Sequence, residues 1–218
     1  MDKENTTAQP PFERITPPSA GTMACKRAFD ILCSFLGLTV LSPVLLVVSV
    51  LVAVTSPGGV FFRQERIGKD GKPFRIFKFR SMRKDNAGLK ITTGNDSRIT
   101  PVGRFLRKSK VDELPQLINV LVGDMSFVGP RPEVADYVDL YTPYQRQVLL
   151  VRPGITGLAS IRFRNENDLL TASDDPNRTY VEQIMPRKID LDLEYIPHAS
   201  VFYDIKLIFQ TFAVVIKE

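Results

Sequence analysis

Two adjacent acidic residues, Asp112 and Glu113, directly follow a stretch of positive charge. Residues 98–110 contain no acidic residue and five basic ones, namely Arg98, Arg104, Arg107, Lys108 and Lys110. Cationic side chains beside carboxylates form an arrangement that can hold a phosphate group and attack it. The segment is therefore a candidate site for phosphate chemistry.

The local sequence predicts that these two acids lie at or near the start of a helix. Ser109 stands three residues before Asp112, which is a capping spacing, and Pro115 favours a helix start nearby. Neighbouring residues of a helix point about 100° apart, so the two carboxylates do not form the parallel pair of a glycosidase. Two roles are implied: one carboxylate as nucleophile and Mg²⁺ ligand, the other as a base or a group that positions the acceptor.

A simpler interpretation of Asp112 and Glu113 is that they are ordinary acids at a helix start, paired with Lys108 and Lys110. Acidic residues are common at such positions because they interact favourably with the helix dipole. On the two residues alone, this interpretation is the better supported one. The surrounding elements must decide between the two.

An apolar segment at residues 31–54 contains no charged residue and is preceded by Lys26 and Arg27. Its 24 residues would form a helix of about 36 Å, against a hydrocarbon core of about 30 Å. It begins too late and runs too long for the apolar region of a signal peptide. The segment is therefore long enough to cross a membrane.

Ser42-Pro43 lies at the midpoint of this segment, where proline removes a backbone hydrogen bond. The two resulting arms are each about 18 Å long, and neither crosses a bilayer alone. Basic residues flank both ends, so the positive-inside rule places both ends in the cytoplasm. The pattern favours a re-entrant helix–break–helix over a single kinked span. The basic residues on the C-terminal side are Arg63, Arg66, Lys69, Lys72, Arg75, Lys78 and Arg80.

The remaining pattern predicts an α+β fold that is predominantly helical with a short β-hairpin. Residues 60–66 and 74–79 flank a turn-rich segment and form the expected hairpin. A helix begun near Asp112 continues through residues 118–121, and residues 125–128 form a candidate short strand. Apolar residues near the C-terminus recur at helical spacing and fit either the core or an amphipathic helix in the membrane interface. We expect a flexible tail at residues 1–22, the re-entrant membrane helix at 23–57 and a catalytic domain on the cytoplasmic face at 58–218.

The net charge of +5 and a pI near 9.2 indicate an anionic partner, which could be nucleic acid, a phospholipid surface or a phosphorylated substrate. No recognised nucleic-acid motif is present, so nucleic acid is the weakest of these. The two cysteines, Cys25 and Cys33, provide no basis for a disulfide framework or a zinc site. A non-catalytic membrane scaffold that binds anionic lipid is the main alternative to an enzyme.

Longer motifs favour an enzyme over the alternatives of ordinary helix-start acids and a membrane scaffold. The run DELPQLINVL at residues 112–121, followed by GDMSFVGPRPE at 123–133, resembles the signature of the monotopic phosphoglycosyl transferases, the bacterial sugar transferase family. Three further matches stand in the same order as in that family: KRAFD at 26–30, KFRSM at 78–82 and RPGITGLA at 152–159. The resemblance covers residues 26–215, which is nearly all of the chain outside the tail.

The resemblance implies a role for each matching position. Asp112 matches the aspartate that attacks the β-phosphate of a UDP-sugar, releases UMP and carries the phosphosugar covalently, close to Mg²⁺. Glu113 matches its partner, which assists the acceptor phosphate. Arg107 matches an arginine that holds phosphate, and Arg131 is expected to contact the nucleotide.

The other matching residues, Lys78, Arg80 and Arg152, are predicted to bind substrate as well. For Arg152, tying loops together through backbone carbonyls is at least as good an interpretation. The resemblance also implies a hairpin broken at Ser42-Pro43, in contact with phospholipid on the cytoplasmic face of the bacterial inner membrane. There the protein would meet polyprenyl (undecaprenyl) phosphate, its acceptor.

Two departures limit the transfer of family properties. Residues 160–165, which are expected to touch the sugar, differ from the usual glutamine and glycine-arginine pattern, so the identity of the sugar does not carry over. Residues 189–195 alternate like a strand, whereas the corresponding part of relatives is helical. We expect a helix there.

Overall fold

The structure is a computed structural model that describes residues 13–56, 58–83 and 98–215. Most of the predicted N-terminal tail, residues 1–12, lies outside the described part, and the first helix begins at Ala20. The described residues are mostly helical with two small sheets, as the sequence predicted. The helices are α1 (Ala20–Thr55), α2 (Pro101–Lys108), α3 (Gln116–Val122), α4 (Ala135–Val138), α5 (Leu158–Arg162), α6 (Glu166–Thr171), α7 (Pro176–Thr179), α8 (Met185–Tyr195) and α9 (Val201–Val215), and the strands are β1 (Phe61–Ile67), β2 (Pro73–Phe79), β3 (Ser126–Val128) and β4 (Gly154–Thr156).

The predicted hairpin is confirmed. β1 pairs antiparallel with β2, with Phe61 opposite Phe79 and Ile67 opposite Pro73. The turn between them uses positive φ at Asp70 (57°) and Gly71 (73°), the kind of conformation that aspartate and glycine tolerate best. β3 and β4 form a separate parallel pair.

The helix α1 runs for 36 residues and continues through Pro43. Pro43 has no N–H, so the carbonyl of Thr39 loses its helical donor. The hydroxyl of Ser42 donates to that carbonyl at 2.8 Å and satisfies it locally. Of the described helices, α1 alone is long and apolar enough to cross a membrane. The re-entrant break at Ser42-Pro43 stays a prediction.

Three charged residues near the start of α1 fix the helix to the rest of the protein. The ammonium of Lys26 is buried, forms an ion pair with Asp204 of α9, and donates to the carbonyl of Val128 at 3.0 Å. The hydroxyl of Tyr195 donates to the same two residues, at 2.6 Å to Asp204 and 3.2 Å to Val128. The first and last helices therefore meet in a buried polar cluster at the end of β3.

The other two charges act at α3 and β3. The guanidinium of Arg27 donates to two carbonyl oxygens at the C-terminal end of α3, at 2.5 and 2.8 Å. The carboxylate of Asp30 is buried and accepts from the hydroxyl of Ser126 and the backbone N–H of Phe127, both at 3.1 Å. The KRAFD motif at residues 26–30 thus docks α1 through buried and partly buried hydrogen bonds.

The far end of α1 contacts the same globular part. Val48 and Val52 are buried against Phe79 of β2 and Leu106 of α2. Residues 26 and 52 are about 39 Å apart along a helix, since each residue rises about 1.5 Å. Both ends of the apolar helix therefore pack on one body, while most of its middle is exposed.

The C-terminal third is helical, and it confirms a helix rather than a strand at residues 189–195. The main core lies beneath α8 and α9, where Leu193, Tyr195, Ile196 and Leu207 are almost inaccessible. The apolar stripe of α9 divides between two environments. Its buried side joins this core, whereas its exposed side carries Phe202, Phe209 and Phe212.

The buried ion pair gives a testable prediction. We expect Lys26→Met to lower the free energy of unfolding by about 3–5 kcal/mol, because Asp204 keeps a buried charge without its partner. The double variant K26M/D204L removes both charges and should recover a large part of that loss. Denaturant unfolding in detergent micelles measures both.

The exposed pair Arg178–Glu182 is the control. Arg178→Met should cost less than about 1 kcal/mol, since surface ion pairs contribute little. A K26M loss no larger than that of R178M would contradict a stabilising role for the buried pair.

Candidate active site

The two acids lie in a tight turn between helices. α2 ends at Lys108, and Lys110 takes a left-handed backbone conformation with φ 57°. A single 3₁₀ turn over Val111–Glu113 follows, and α3 starts only at Gln116. This turn places the dyad before α3 and not within it.

The predicted cap at Ser109 is wrong. Its hydroxyl donates back to the carbonyl of Phe105 at 2.9 Å and so serves the C-terminal end of α2. The left-handed Lys110 separates Ser109 from the following turn, which has no side-chain cap. Spacing alone could not show that the chain reverses direction between the two residues.

Asp112 is 7% exposed, and its Oδ1 has no hydrogen-bond partner among the described residues. Burial raises the pKa of its carboxyl, and the adjacent charge of Glu113 raises it further. The cations Lys78, Arg107 and Lys110 oppose the shift. Asp112 is thus a partly desolvated, unpaired carboxyl with positive charges around it.

Glu113 has the opposite environment. Its Oε1 accepts from Nζ of Lys78 at 2.7 Å and from Nη2 of Arg131 at 3.2 Å. Burial alone would raise the pKa of Glu113, but Arg131 and Lys78 outweigh it and hold the pKa well below its usual range. The two neighbouring carboxylates are therefore electrostatically distinct, since Glu113 is held ionised by cations and Asp112 is not paired.

Arg131 reaches Glu113 from the Pro130-Arg131-Pro132 turn, which follows β3. The turn is held close to β4, because the backbone N–H of Gly154 donates to the carbonyl of Pro130 at 2.8 Å. A Cβ at Gly129 would lie 2.4 Å from the carbonyl oxygen of Arg152, so only glycine fits there. The side chain of Arg131 is 40% exposed and keeps N–H groups free for a ligand.

Lys78 is positioned by a residue that the sequence analysis missed. Asn119 is fully buried in α3, accepts from the backbone N–H of Phe77 at 2.9 Å and donates to the carbonyl of Arg75 at 2.9 Å. These two bonds fix β2 on α3 and bring Lys78 to Glu113. A single asparagine inside the apolar run of residues 117–122 was the available signal.

Of the other predicted basic residues, Arg107 lies near Asp112, whereas Arg80 and Arg152 bond backbone carbonyls. Arg107 is near Asp112, where its charge opposes the pKa shift, and its Nη1 contacts the sulfur of Met82 at 3.5 Å. The guanidinium of Arg80 instead bonds the carbonyls of two glycines at residues 58 and 59, both at 2.8 Å. Nε of Arg152 donates to the carbonyl of Gly123 at 2.8 Å, which matches the structural alternative for that residue. Ser42 and Pro43 lie within α1.

The carboxylates available to bind a magnesium ion at this site are those of Asp112 and Glu113. Among the residues that the structure describes, no group of three or more histidine, cysteine, aspartate or glutamate side chains is placed to hold a metal. Mg²⁺ is commonly bound by one or two carboxylates together with substrate phosphates. The unpartnered Oδ1 of Asp112 fits that mode of binding.

Asp192 is a second residue that the sequence analysis missed. It is 5% exposed in α8, and its Oδ1 has no hydrogen-bond partner among the described residues. Burial raises its pKa to about 8, although Lys188 and the backbone N–H groups of Ala159 and Arg131 favour the charged form. The carboxyl therefore lies beneath the turn that carries Arg131. The alternation of residues 189–195 drew attention to the type of element and not to a buried acid within it.

Comparison with known proteins adds a family. A family model described as bacterial sugar transferase matches residues 21–218 of the chain. The match includes α1, the dyad and the Pro-Arg-Pro turn, so it spans every element of the site.

Curated relatives are similar over most of the chain. The UDP-glucose:undecaprenyl-phosphate glucose-1-phosphate transferase of Escherichia coli is 44% identical over 90% of this chain and 41% of its own length. The UDP-N-acetylgalactosamine-undecaprenyl-phosphate N-acetylgalactosaminephosphotransferase of Aeromonas hydrophila is 39% identical over 85% of this chain and 42% of its own length. The exopolysaccharide production protein PSS of Rhizobium leguminosarum is 41% identical over 87% of this chain and 94% of its own length. The chain thus spans about two fifths of the first two relatives and nearly all of the third.

The buried carboxyl of Asp192 predicts a pH dependence of stability. Its pKa of about 8 in the folded state lies above the unfolded value of about 3.9. The stability that it contributes is then fully present below about pH 4 and is lost as the pH rises toward about 8. Asp192→Asn, which stays neutral, should melt several degrees above the unchanged protein at pH 8, and the difference should vanish near pH 4.

Thermal unfolding in detergent between pH 4 and pH 8.5 tests this. Asp190→Asn is the matched control, because Asp190 is exposed on the same helix. If the curves of D192N and the unchanged protein run parallel across this range, Asp192 does not titrate as we expect.

Proposed function

The chain belongs to the bacterial sugar transferase family, and we propose that it transfers a sugar phosphate from a UDP-sugar to undecaprenyl phosphate. The names of the relatives from Escherichia coli and Aeromonas hydrophila support both substrates. The observation that carries the proposal is Asp112, a buried, unpaired carboxyl among cations, next to a carboxylate that is already compensated. The names of these relatives do not favour the scaffold alternative.

In the proposed reaction, a carboxylate oxygen of Asp112 attacks the β-phosphorus of the UDP-sugar. The bond from that phosphorus to the bridging oxygen breaks, and UMP leaves with the bonding electrons. An oxygen of undecaprenyl phosphate then attacks the same phosphorus and releases the Asp112 carboxylate. A desolvated carboxylate with a raised pKa is a better nucleophile than a solvated one. The burial of Asp112, which raises the pKa of its carboxyl, supports this role.

The other residues of the site would bind and orient. Glu113 keeps Lys78 and Arg131 in place, and the free N–H groups of Arg131 would bind the phosphates of the nucleotide. Arg107 would stabilise the charge that develops on the transferred phosphate. Mg²⁺, held by Asp112 and the substrate phosphates, would supply further neutralisation of charge.

We also propose that α1 enters the membrane from the cytoplasmic face and returns to it. A straight span separates its two ends by about 30 Å of hydrocarbon, so a domain on one side contacts only one end. Contacts of the same globular part at both Asp30 and Val52 support a re-entrant path. The exposed side of α9, with Phe202, Phe209 and Phe212, would lie in the membrane interface beside it.

The covalent intermediate has a direct test. With UDP-sugar labelled at the β-phosphorus and no acceptor, the unchanged protein should retain label, and undecaprenyl phosphate should then remove it. Asp112→Asn should lower labelling by at least about 10³-fold, because an amide oxygen is a poor nucleophile.

Glu113→Gln is the companion variant. It should still acquire label but pass it on slowly, since it disturbs Lys78 and Arg131 without removing the nucleophile. Label that persists in D112N would exclude Asp112 as the attacking group.

The re-entrant path predicts where its flanks lie. In a C25S/C33S background, single cysteines at Gly21 and Lys72 should both be protected from a membrane-impermeant maleimide in intact cells. Both should react in inverted membrane vesicles. Reaction of the two positions from opposite sides would establish a true span.

A further inference from the structure

We propose that Lys110 is an additional substrate-binding residue, whose ammonium binds the β-phosphate of the donor as it reaches Asp112. The role rests on the function proposed above and singles out one residue of the basic segment at residues 98–110, which had no individual role in the sequence analysis. Three observations carry it: a backbone conformation that disfavours lysine, the commitments of the neighbouring cations, and the exposure of the Lys110 side chain.

The backbone of Lys110 has φ 57° and ψ 12°, in the left-handed region. Among the described residues other than glycine, only Lys110 and Asp70 have positive φ. Asp70 lies in a hairpin turn, and a short polar side chain can stabilise such a conformation locally, whereas lysine cannot. Backbone strain of this kind collects at functional sites, where the side chain has a use that offsets its cost.

Two of the other cations near the dyad are paired with a carboxylate, and among the described residues the third contacts only a sulfur. Lys78 and Arg131 both bond Glu113, and Arg107 rests one nitrogen against the sulfur of Met82. Within the described ranges, Lys110 forms no ion pair at 4 Å or less. Lys110 directly precedes the 3₁₀ turn Val111–Glu113, two residues before Asp112 and three before Glu113.

The side chain of Lys110 is also exposed, whereas Asp112, in the turn that directly follows it, is buried. A phosphate that approaches Asp112 from solvent adds negative charge beside a carboxylate. The carboxylate of Glu113 already neutralises part of the charge of the two cations that it bonds, Lys78 and Arg131. An uncommitted ammonium two residues before Asp112 is placed to balance the incoming charge.

The test separates the side chain from the backbone. Asparagine adopts the left-handed conformation readily, so Lys110→Asn should melt no lower than the unchanged protein, while the charge is removed. We expect the Kd of UDP, measured by calorimetry in the presence of MgCl₂, to rise at least tenfold. The rate of labelling from subsaturating UDP-sugar should fall by a similar factor, and Lys110→Arg should restore both to within threefold.

Asp70→Asn is the matched control, because it keeps the second left-handed position and lies outside the site. It should leave the Kd of UDP and the labelling rate unchanged. If K110N binds UDP as tightly as D70N does, Lys110 does not bind the phosphate, even where the unchanged protein transfers label normally. If instead the unchanged protein binds UDP but takes no label from any UDP-sugar, the proposed function fails while the effect of K110N on UDP binding still decides the role of Lys110.

Discussion

The carboxylate of Glu113 connects three separate parts of the chain, and the arrangement of the site depends on it. It bonds Lys78 from the hairpin and Arg131 from the turn after β3, while it stands itself in the turn between α2 and α3. Each of these parts is fixed independently from behind. Asn119 holds the hairpin strand on α3, and the hydrogen bond from the N–H of Gly154 to the carbonyl of Pro130 holds the Arg131 turn on β4. Because Glu113 bonds two of the nearby cations, Oδ1 of its neighbour Asp112 has no hydrogen-bond partner in the described part of the chain.

The helix α1 is part of the folded body. Its charged residues bond α3, β3 and α9 in buried and partly buried positions, and these elements support the active-site turn. The carbonyl of Val128, which accepts from Lys26 and Tyr195, directly precedes the residues that carry Arg131. The position of this long apolar helix and the geometry of the site therefore depend on the same polar contacts.

Local sequence patterns predicted the elements well and their contacts poorly. The hairpin, the strand near residue 126 and the helix α9 followed from periodicity and turn residues, which are local properties. The helix at residues 189–195 followed from the family resemblance, against its local alternation. The adjacency of Asp112 and Glu113 predicted two different roles, and the different surroundings of the two carboxylates are consistent with that prediction. The backbone partners of Arg80 and the roles of Asn119 and Asp192 depend on residues distant in sequence, to which periodicity is blind. The predicted cap at Ser109 was wrong for a local reason: Lys110 takes a left-handed conformation and separates Ser109 from the turn that holds Asp112.

The pairing of Lys26 with Asp204 also limits how early the contacts of α1 can form during synthesis. The two residues are 178 positions apart, so the ribosome adds most of the domain before the second appears. Until Asp204 has been made, the ammonium of Lys26 has no buried counterion, which favours its hydration over its burial. Contacts of such long range form late, because the entropy of closing the loop is lost before they contribute. The carbonyl of Val128 gains the Tyr195 donor only after α8 has been made, 67 residues later, so the support of the turn that carries Arg131 is complete only when the C-terminal helices are present.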